Sequence, residues 1–470
     1  MVADLVITAA DLGRDQLVGI AIAAGTIREV GPQVAARPQD RVLDAAGGAV
    51  LPGLHDHHVH LYSAAAALQS VAAGPPAVRG AARLAAVLRQ ADRRLPAGAW
   101  IRAVGYHESV AGWLDRDQLD RIVPARPVRV QHRSGSQWIL NSAGLHQVLA
   151  TTPDHPGIER DDTGRATGRL VRMDDCIQAV AGRQEPGLAA LSQQAARLGI
   201  TGFTDATPFA DPDALGAIAA ARADGRLRQK VTVMTGPEAT EARCPPGLEL
   251  GPVKVLLDED ALMGFDELCD LVRRARRAGR PVAVHCVTRA QLVLALSALE
   301  AVGGCERDRI EHAAVVPPEL DATLRRLGVT VVTNPGFVLA RGDDYLAEVE
   351  PEDLAHLYRC RSLALAGVKV AAGTDAPFGP ADPWVLVRAA ATRSTRSGHV
   401  LGPAEALDHR QALGLLLGWA SRPATERSVA PGQPADLCVL SVPFADAIGS
   451  LDGDQVVATV VAGAVVADNR

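Results

Sequence analysis

Four histidines and an aspartate crowd into six residues, His55-Asp56-His57-His58-Val59-His60. In an extended strand, side chains two residues apart share a face. Asp56, His58 and His60 therefore point one way, and His55 and His57 the other. Two imidazoles on one face can both reach a single metal ion, with a carboxylate beside them. Thirteen histidines in 470 residues would give about 0.4 such His-x-His pairs by chance, so the pair alone is weak evidence. Further residues of the right chemistry follow at the ends of apolar runs. His285 closes Pro281–His285, Glu311 and His312 close Arg309–His312, and Asp375 follows Val368–Ala372 in Gly373-Thr374-Asp375. As a set, His58, His60, His285, His312 and Asp375 read as metal ligands. Lys254, inside the apolar run Val253–Leu257, is costly to bury charged. A salt bridge to Asp56 or Asp258 would neutralise it. Carbamylation by CO₂ would instead make it an anionic bridge between two metals.

The elements that must position these groups alternate. Strand patterns at Gly199–Ala206, Lys230–Met234, Val253–Leu257, Pro281–His285, Arg309–His312, Val329–Asn334 and Val368–Ala372 are separated mainly by amphipathic helices. In Phe265–Ala278, Leu268, Leu271, Val272 and Ala275 fall on one face. Prolines open Pro317–Leu327 and Gly328 closes it. With the histidine strand this makes eight strands, which favours an α/β fold of the (β/α)₈ type over an open doubly wound sheet. Chemistry in such a barrel sits at the C-terminal strand ends, where the ligand set falls.

Residues 1–50 and 421–470 both read as short strands with tight turns, at Ala24-Gly25 and Ala462-Gly463. They are expected to meet in one small β-sandwich, leaving residues 51–420 as the barrel. The stretch from about 62 to 186 is irregular, with a helix at Ala81–Arg94, strands at Trp100–Val104 and Pro127–His132, and loops at Thr151–Gly168. It reads as an insertion covering the active site.

Composition narrows the role. The chain is 48% hydrophobic with a net charge of −6, which gives no reason to expect nucleic acid or an anionic membrane as partner. No apolar run is long enough for a membrane span, and the first residues lack the basic start of a signal peptide. Seven scattered cysteines without a Cys-x-x-Cys pair suit reduced thiols. A cytoplasmic protein acting on a small molecule, as a monomer or homo-oligomer, is expected.

The combination of Pro52-Gly53-Leu54-His55-Asp56-His57-His58-Val59-His60, Val253-Lys254-Val255, Val284-His285, Arg309-Ile310-Glu311-His312-Ala313, Gly373-Thr374-Asp375-Ala376-Pro377 and Pro431-Gly432-Gln433-Pro434-Ala435-Asp436 resembles the metal-dependent amidohydrolase superfamily. In pattern it is nearest to the branch that contains N-substituted formamide deformylase. The resemblance implies a zinc-type centre of one or two divalent ions, with His58, His60 and Asp375 on one metal, His285 and His312 on the other, and Lys254 bridging if carbamylated. Departures bear on the substrate. Asp258-Glu259-Asp260 replaces the usual Asp-Gly-Ser, Cys286-Val287-Thr288-Arg289 replaces a small residue with Gly-Asp, and Ser136 stands where relatives place a histidine before Asn141-Ser142.

The expected reaction is hydrolysis of an amide-like C–N bond, N-formyl or cyclic amides included, by metal-activated hydroxide. Asp375 would be general base and then general acid. Deaminases of this type place a glutamate where this chain has Thr288, which argues against deamination, and Glu311 is expected to face away from His312. A binding or regulatory relative without catalysis is the rival from another class. Tyr106, His107, Arg133, Ser136 and Asn141 in the insertion, with Arg289 and Asn334 near strand ends, are the substrate-contact candidates. Asp56 is expected to orient an imidazole.

Overall fold

The computed structural model describes residues 4–182, 187–209, 212–258 and 262–470. Glu259, Asp260 and the expected boundary at 186 lie outside the described residues. The chain forms two compact units, Met1–Leu61 with Leu188–Arg470, and Tyr62–Gly187.

In the first unit eight parallel strands make one sheet: β1 (Leu54–Val59), β2 (Ile200–Phe209), β3 (Lys230–Thr235), β4 (Glu249–Leu256), β5 (Val282–Cys286), β6 (Arg309–His312), β7 (Thr330–Thr333) and β8 (Lys369–Ala372). Each strand pairs with its successor in chain order. No reversal of strand order occurs, so the sheet lacks the switch point of a doubly wound fold. It is a near-barrel. Its edge strands approach at their C-terminal ends, where Asp375 N–H donates to His58 O at 2.7 Å and His60 N–H to Ala376 O at 3.0 Å. Gly373 makes this approach possible, because a Cβ there would stand 2.3 Å from His58 N.

Alternation along the strands divides inside from outside. Val253 and Val255 of β4, Val282 and Val284 of β5, Ile310 of β6 and Val331 of β7 join one core with Leu268, Leu271 and Val272 of the helix Phe265–Arg277. Burial of each such side chain is worth about 1.5–3 kcal/mol. Lys254, His285 and Glu311, one residue out of step, fall on the opposite, inner face.

The apolar run before the histidines and the histidines themselves are two strands in two sheets. Val50–Pro52 pairs with Leu437–Leu440, whereas β1 pairs with β2. Gly53 sits at the change of sheet, where a Cβ would meet Thr201 at 2.1 Å. Two four-stranded sheets come from the chain ends and share a core that includes Ile7, Ile20, Ile22, Leu437, Val439 and Val460. Their tight turns carry positive φ at Ala24 and Gly25, and at Ala462 and Gly463, as two-residue hairpins require. These sheets belong to the same compact unit as the near-barrel. Asp436 ties them to it, accepting from Lys230 Nζ of β3 at 2.6 Å while its carbonyl accepts from Gly53 N–H.

The second unit has a sheet of its own with six strands, in the order Ile158–Arg160, Ala166–Val171, Gln137–Leu140, Val128–His132, Ile101–Tyr106, Val71–Ala72. The helix Ala81–Arg94 packs Leu84 and Leu88 into a core with Ile101, Val128 and Val130. Loops were expected at Thr151–Gly168, but Ile158–Arg160 pairs there with Ala166–Val171. The turn between them is organised by Asp161, whose Oδ1 accepts from the N–H groups of Thr163 and Arg165. The Asp/Gly cluster is thus the signal of a hairpin turn.

Among the described residues no helix is long and apolar enough to cross a membrane. The seven cysteines are free thiols.

Candidate metal centre

Strands β1 and β8 bring three side chains together at the seam. Asp375 Oδ1 lies 3.6 Å from His58 Nε2 and 3.4 Å from His60 Nε2. Two ligands about 2.1 Å from a tetrahedral ion stand about 3.4 Å apart, so the spacing suits a shared ion. His58, His60 and Asp375 are the group among the described residues whose ligand atoms converge this way. His312 stacks near this group, with ring centroids 4.7 Å from His58 and 4.5 Å from His285. The four predicted histidines are therefore neighbours.

Each of three rings has its Nδ1 engaged, which leaves Nε2 for the centre. His60 Nδ1 meets Thr207 Oγ1 at 3.0 Å, and His312 Nδ1 meets Asn334 Oδ1 at 2.7 Å. His58 Nδ1 contacts Glu311 Oε2. This is the arrangement of metal-ligating histidines, whose second nitrogen is held by a polar partner. Thr207 is itself fixed, because Asp205 accepts from Thr207 N–H at 3.0 Å and from Leu61 N–H at 3.3 Å.

The electrostatics agree. Burial, with Lys254 and His60 nearby, drives His58 well below the usual imidazole range, and burial with His285 does the same for His312. Both rings are neutral, the form that ligates. Burial also pulls the Lys254 amine down, against the opposite pull of Glu311 and Asp375. Lys254 makes neither of the salt bridges that sequence reasoning allowed it; Nζ is buried without a hydrogen-bond partner. Nε2 of His58 and Oδ1 of Asp375 are also buried and unpartnered. Such orphans each cost about 1–3 kcal/mol. The imidazole and carboxylate left open beside each other form, with His60, a donor set that fits a divalent cation.

Two backbone irregularities aim these groups. Strict alternation would turn Glu311 away from His312, as the sequence suggested. Instead His312 and Ala313 have φ of 66° and 45°, and both Glu311 and His312 reach His58. Asp375 likewise has φ of 54°. Left-handed backbone at non-glycine residues costs free energy and clusters at functional sites.

Asp56 does not orient an imidazole. Its carboxylate accepts from Thr374 N–H at 2.9 Å, Thr374 Oγ1 at 2.5 Å and His58 N–H at 3.2 Å, and burial pushes its pKa up to about 6. It holds the loop after β8 against β1. His55 and His57 occupy the other face, with ring centroids 4.5 Å apart, and His55 Nε2 meets Thr204 Oγ1 at 2.9 Å.

Of the substrate-contact candidates, Asn334 serves His312 and donates to Gly373 O at 2.7 Å. Arg289 is paired with Asp353 at 2.5 Å on the wall of a cleft of about 1130 Å³ that Val287, Val293, Tyr345 and Tyr358 also line. The other five lie in the second unit. Asn141 spends its whole amide on backbone, accepting from Val128 and Gly144 N–H and donating to Val123 and Arg126 O. Tyr106 is buried and donates to Gly112 O at 2.6 Å. His107 caps the helix Glu108–Ala111 and, with His132, faces the Glu108 carboxylate. Ser136 meets Ser134 at 3.1 Å, and Arg133 N–H donates to Tyr106 O at 2.8 Å.

Sequence reasoning missed Thr207, Thr374 and the role of Glu311. For Glu311 a signal existed: Arg309 and Glu311, two apart in a short buried strand, share an inward face.

The family model described as "Amidohydrolase family" matches residues 41–467. N-substituted formamide deformylase of Arthrobacter pascens is 27% identical, with 94% of each chain covered. Putative amidohydrolase YtcJ of Bacillus subtilis (strain 168) is 25% identical, with 91% of each covered. The crystal structure of an uncharacterized metal-dependent hydrolase from Pyrococcus horikoshii OT3 superposes with a TM-score of 0.74 at 20% identity, covering 96% of this chain and 98% of that one, and so shares its fold.

Proposed function

From the premise that the chain belongs to the amidohydrolase family, we propose that it hydrolyses an amide-like C–N bond of a small molecule at a metal centre in a (β/α)₈ barrel. One observation carries the reading: the buried, unpartnered Oδ1 of Asp375 lies 3.6 Å from the equally buried and unpartnered Nε2 of His58 and 3.4 Å from the Nε2 of His60. His58, His60 and Asp375 would hold one ion, and His285 and His312 a second, with Lys254 carbamylated between them. Zinc suits this nitrogen- and oxygen-donor set. Such an ion supplies water acidified towards neutral pH and a Lewis acid for the substrate carbonyl.

The chain's own groups then manage the protons. Asp375 Oδ1 takes the proton of the attacking water and returns it to the leaving nitrogen, serving as base and then acid. The Asp375 backbone, fixed by His58 O, and the Thr374–Asp56 contacts keep that carboxylate in place. His58 and His312, with Nδ1 engaged and Nε2 turned to the proposed ions, have no nitrogen free for a proton, which leaves Asp375 as the acceptor. The names of the relatives support a C–N bond, with N-formyl compounds as the first substrates to try.

Deamination is the weaker reading. Thr288, at the position where deaminases carry a glutamate, is spent as a helix cap. It accepts from Gln291 N–H while its own N–H donates to Gln291 Oε1 at 3.0 Å.

The test is metal analysis of the wild type and Asp375→Asn, joined to a hydrolysis panel of formamides, cyclic amides and esters. Wild type should hold one or two zinc-type ions per chain and release an amine. Asp375→Asn should keep much of the metal and lose roughly 10²–10⁴-fold in kcat. Full metal occupancy with no hydrolysis across the panel would sink the reading in favour of a binding protein.

A further inference from the structure

His58 differs from its neighbours in the charge of its partner. His60 and His312 give their Nδ1 to neutral groups, a threonine hydroxyl and an asparagine amide. His58 gives its Nδ1 to the carboxylate of Glu311, which is fully buried. Arg309 grips that carboxylate through both oxygens, with Nε 2.7 Å from Oε1 and Nη2 3.2 Å from Oε2. The same Nη2 donates to His57 O at 2.6 Å, so the guanidinium is anchored on the strand that carries His58.

Stability does not explain the pair. A buried ion pair commonly recovers no more than its desolvation cost, and Arg309 Nη1 is buried without a hydrogen-bond partner, so this one is incompletely satisfied. Apolar residues at 309 and 311 would fill the inside of the sheet, where Ala206, Met234 and Ala283 already pack, without that cost. What the pair does accomplish is local. A carboxylate on Nδ1–H fixes the ring's tautomer and makes Nε2 a stronger donor, and charged acceptors do this more strongly than neutral ones.

We propose that Glu311, braced by Arg309, is a positioning residue for the metal: it makes His58 a stronger imidazole donor than His60 or His312, and the affinity of the His58/His60/Asp375 site depends on it. The inference rests on the metal-centre reading above and concerns two residues that touch neither substrate nor ion.

The experiment is a zinc titration of the chelator-stripped full-length protein against a chromophoric competitor, with the unfolding midpoint of each metal-free variant measured alongside. Glu311→Gln, which keeps the shape and removes the charge, should weaken zinc binding roughly 10–100-fold. Thr207→Val, which removes a neutral partner, should weaken it less. A zinc affinity in Glu311→Gln within twofold of wild type overturns the proposal, whatever happens to the unfolding midpoint, because lost stability with unchanged affinity is what a structural residue gives. If Glu311→Gln does not fold, Glu311→Asp and Arg309→Lys take its place. Each keeps its charge and changes its reach, so weakened zinc binding in both supports the proposal and wild-type affinity in both overturns it. Wild type that binds zinc but hydrolyses nothing defeats the hydrolase reading and leaves this comparison intact. Wild type that binds no zinc defeats both.

Discussion

The side-chain oxygen of Asn334 lies 2.7 Å from Nδ1 of His312, and this contact decides which nitrogen of that ring is left for the inside of the barrel. The other half of the amide donates to Gly373 O at 2.7 Å. One side chain on the end of β7 therefore sets a ring on β6 and steadies the loop that carries Asp375.

Asn334→Ala should accordingly weaken metal binding and activity together, by roughly 10–100-fold. It should also cost about 1–3 kcal/mol of stability, because Gly373 O loses its buried donor. Metal titration and denaturant unfolding of the same preparation check both. Activity lost with metal affinity kept would return Asn334 to the list of substrate contacts.

Lys254→Met should separate function from stability. The amine is buried, unpartnered and driven towards its neutral form by burial. An apolar side chain of similar length removes that cost, so the metal-free variant should be more stable by about 1–3 kcal/mol. Hydrolysis should fall to background, since the variant offers no nitrogen for a carbamate. A destabilised metal-free Lys254→Met, measured by thermal unfolding, would mean that the amine has a partner in solution.

Gly373→Ala should be among the most damaging single-atom changes in the chain. The added Cβ would stand 2.3 Å from His58 N and 2.5 Å from its Cβ, both rigid parts of β1. Overpacking of this kind costs about 1–3 kcal/mol or more. It also displaces His58, a proposed ligand, so metal content and unfolding midpoint should fall together. A variant with wild-type metal content would show that the two strands can part without harm.

Asn141→Ala should behave as a folding defect of the second unit. Four backbone hydrogen bonds, one of them a helix cap, go with the amide, a loss of about 2 kcal/mol or more. At temperatures where the variant is folded, KM should match wild type. A raised KM in a variant of normal stability would restore Asn141 as a binding residue.

The residues of the candidate centre drew notice because chemistry and element coincide: histidines, a lysine and an aspartate stand at the ends of apolar strands, and period-two spacing put His58 and His60 on one face. The partners of those ligands were less legible, for a physical reason. A contact such as Thr207 to His60 or Asn334 to His312 joins residues far apart in the chain, and no local pattern encodes it. Glu311 was misplaced because alternation assumes extended φ, and His312 abandons it. The six-stranded sheet of the second unit was hidden by short strands whose turns, such as that at Asp161, looked like open loop. Asn141 drew notice as a polar residue in a motif, yet a fully used amide cannot be told from a free one without its neighbours.

The place where β1 and β8 meet has a further implication. His58 and Asp375 are joined there by a backbone hydrogen bond, as are His60 and Ala376, and the proposed ion would sit on the same residues. It would work as a clasp between the first and last strands of the near-barrel, and its binding free energy would add to the hold of the folded chain by mass action. Durability would then follow the surrounding supply of free metal. Starved of it, the protein should begin to come undone at this seam, while its helices are still packed.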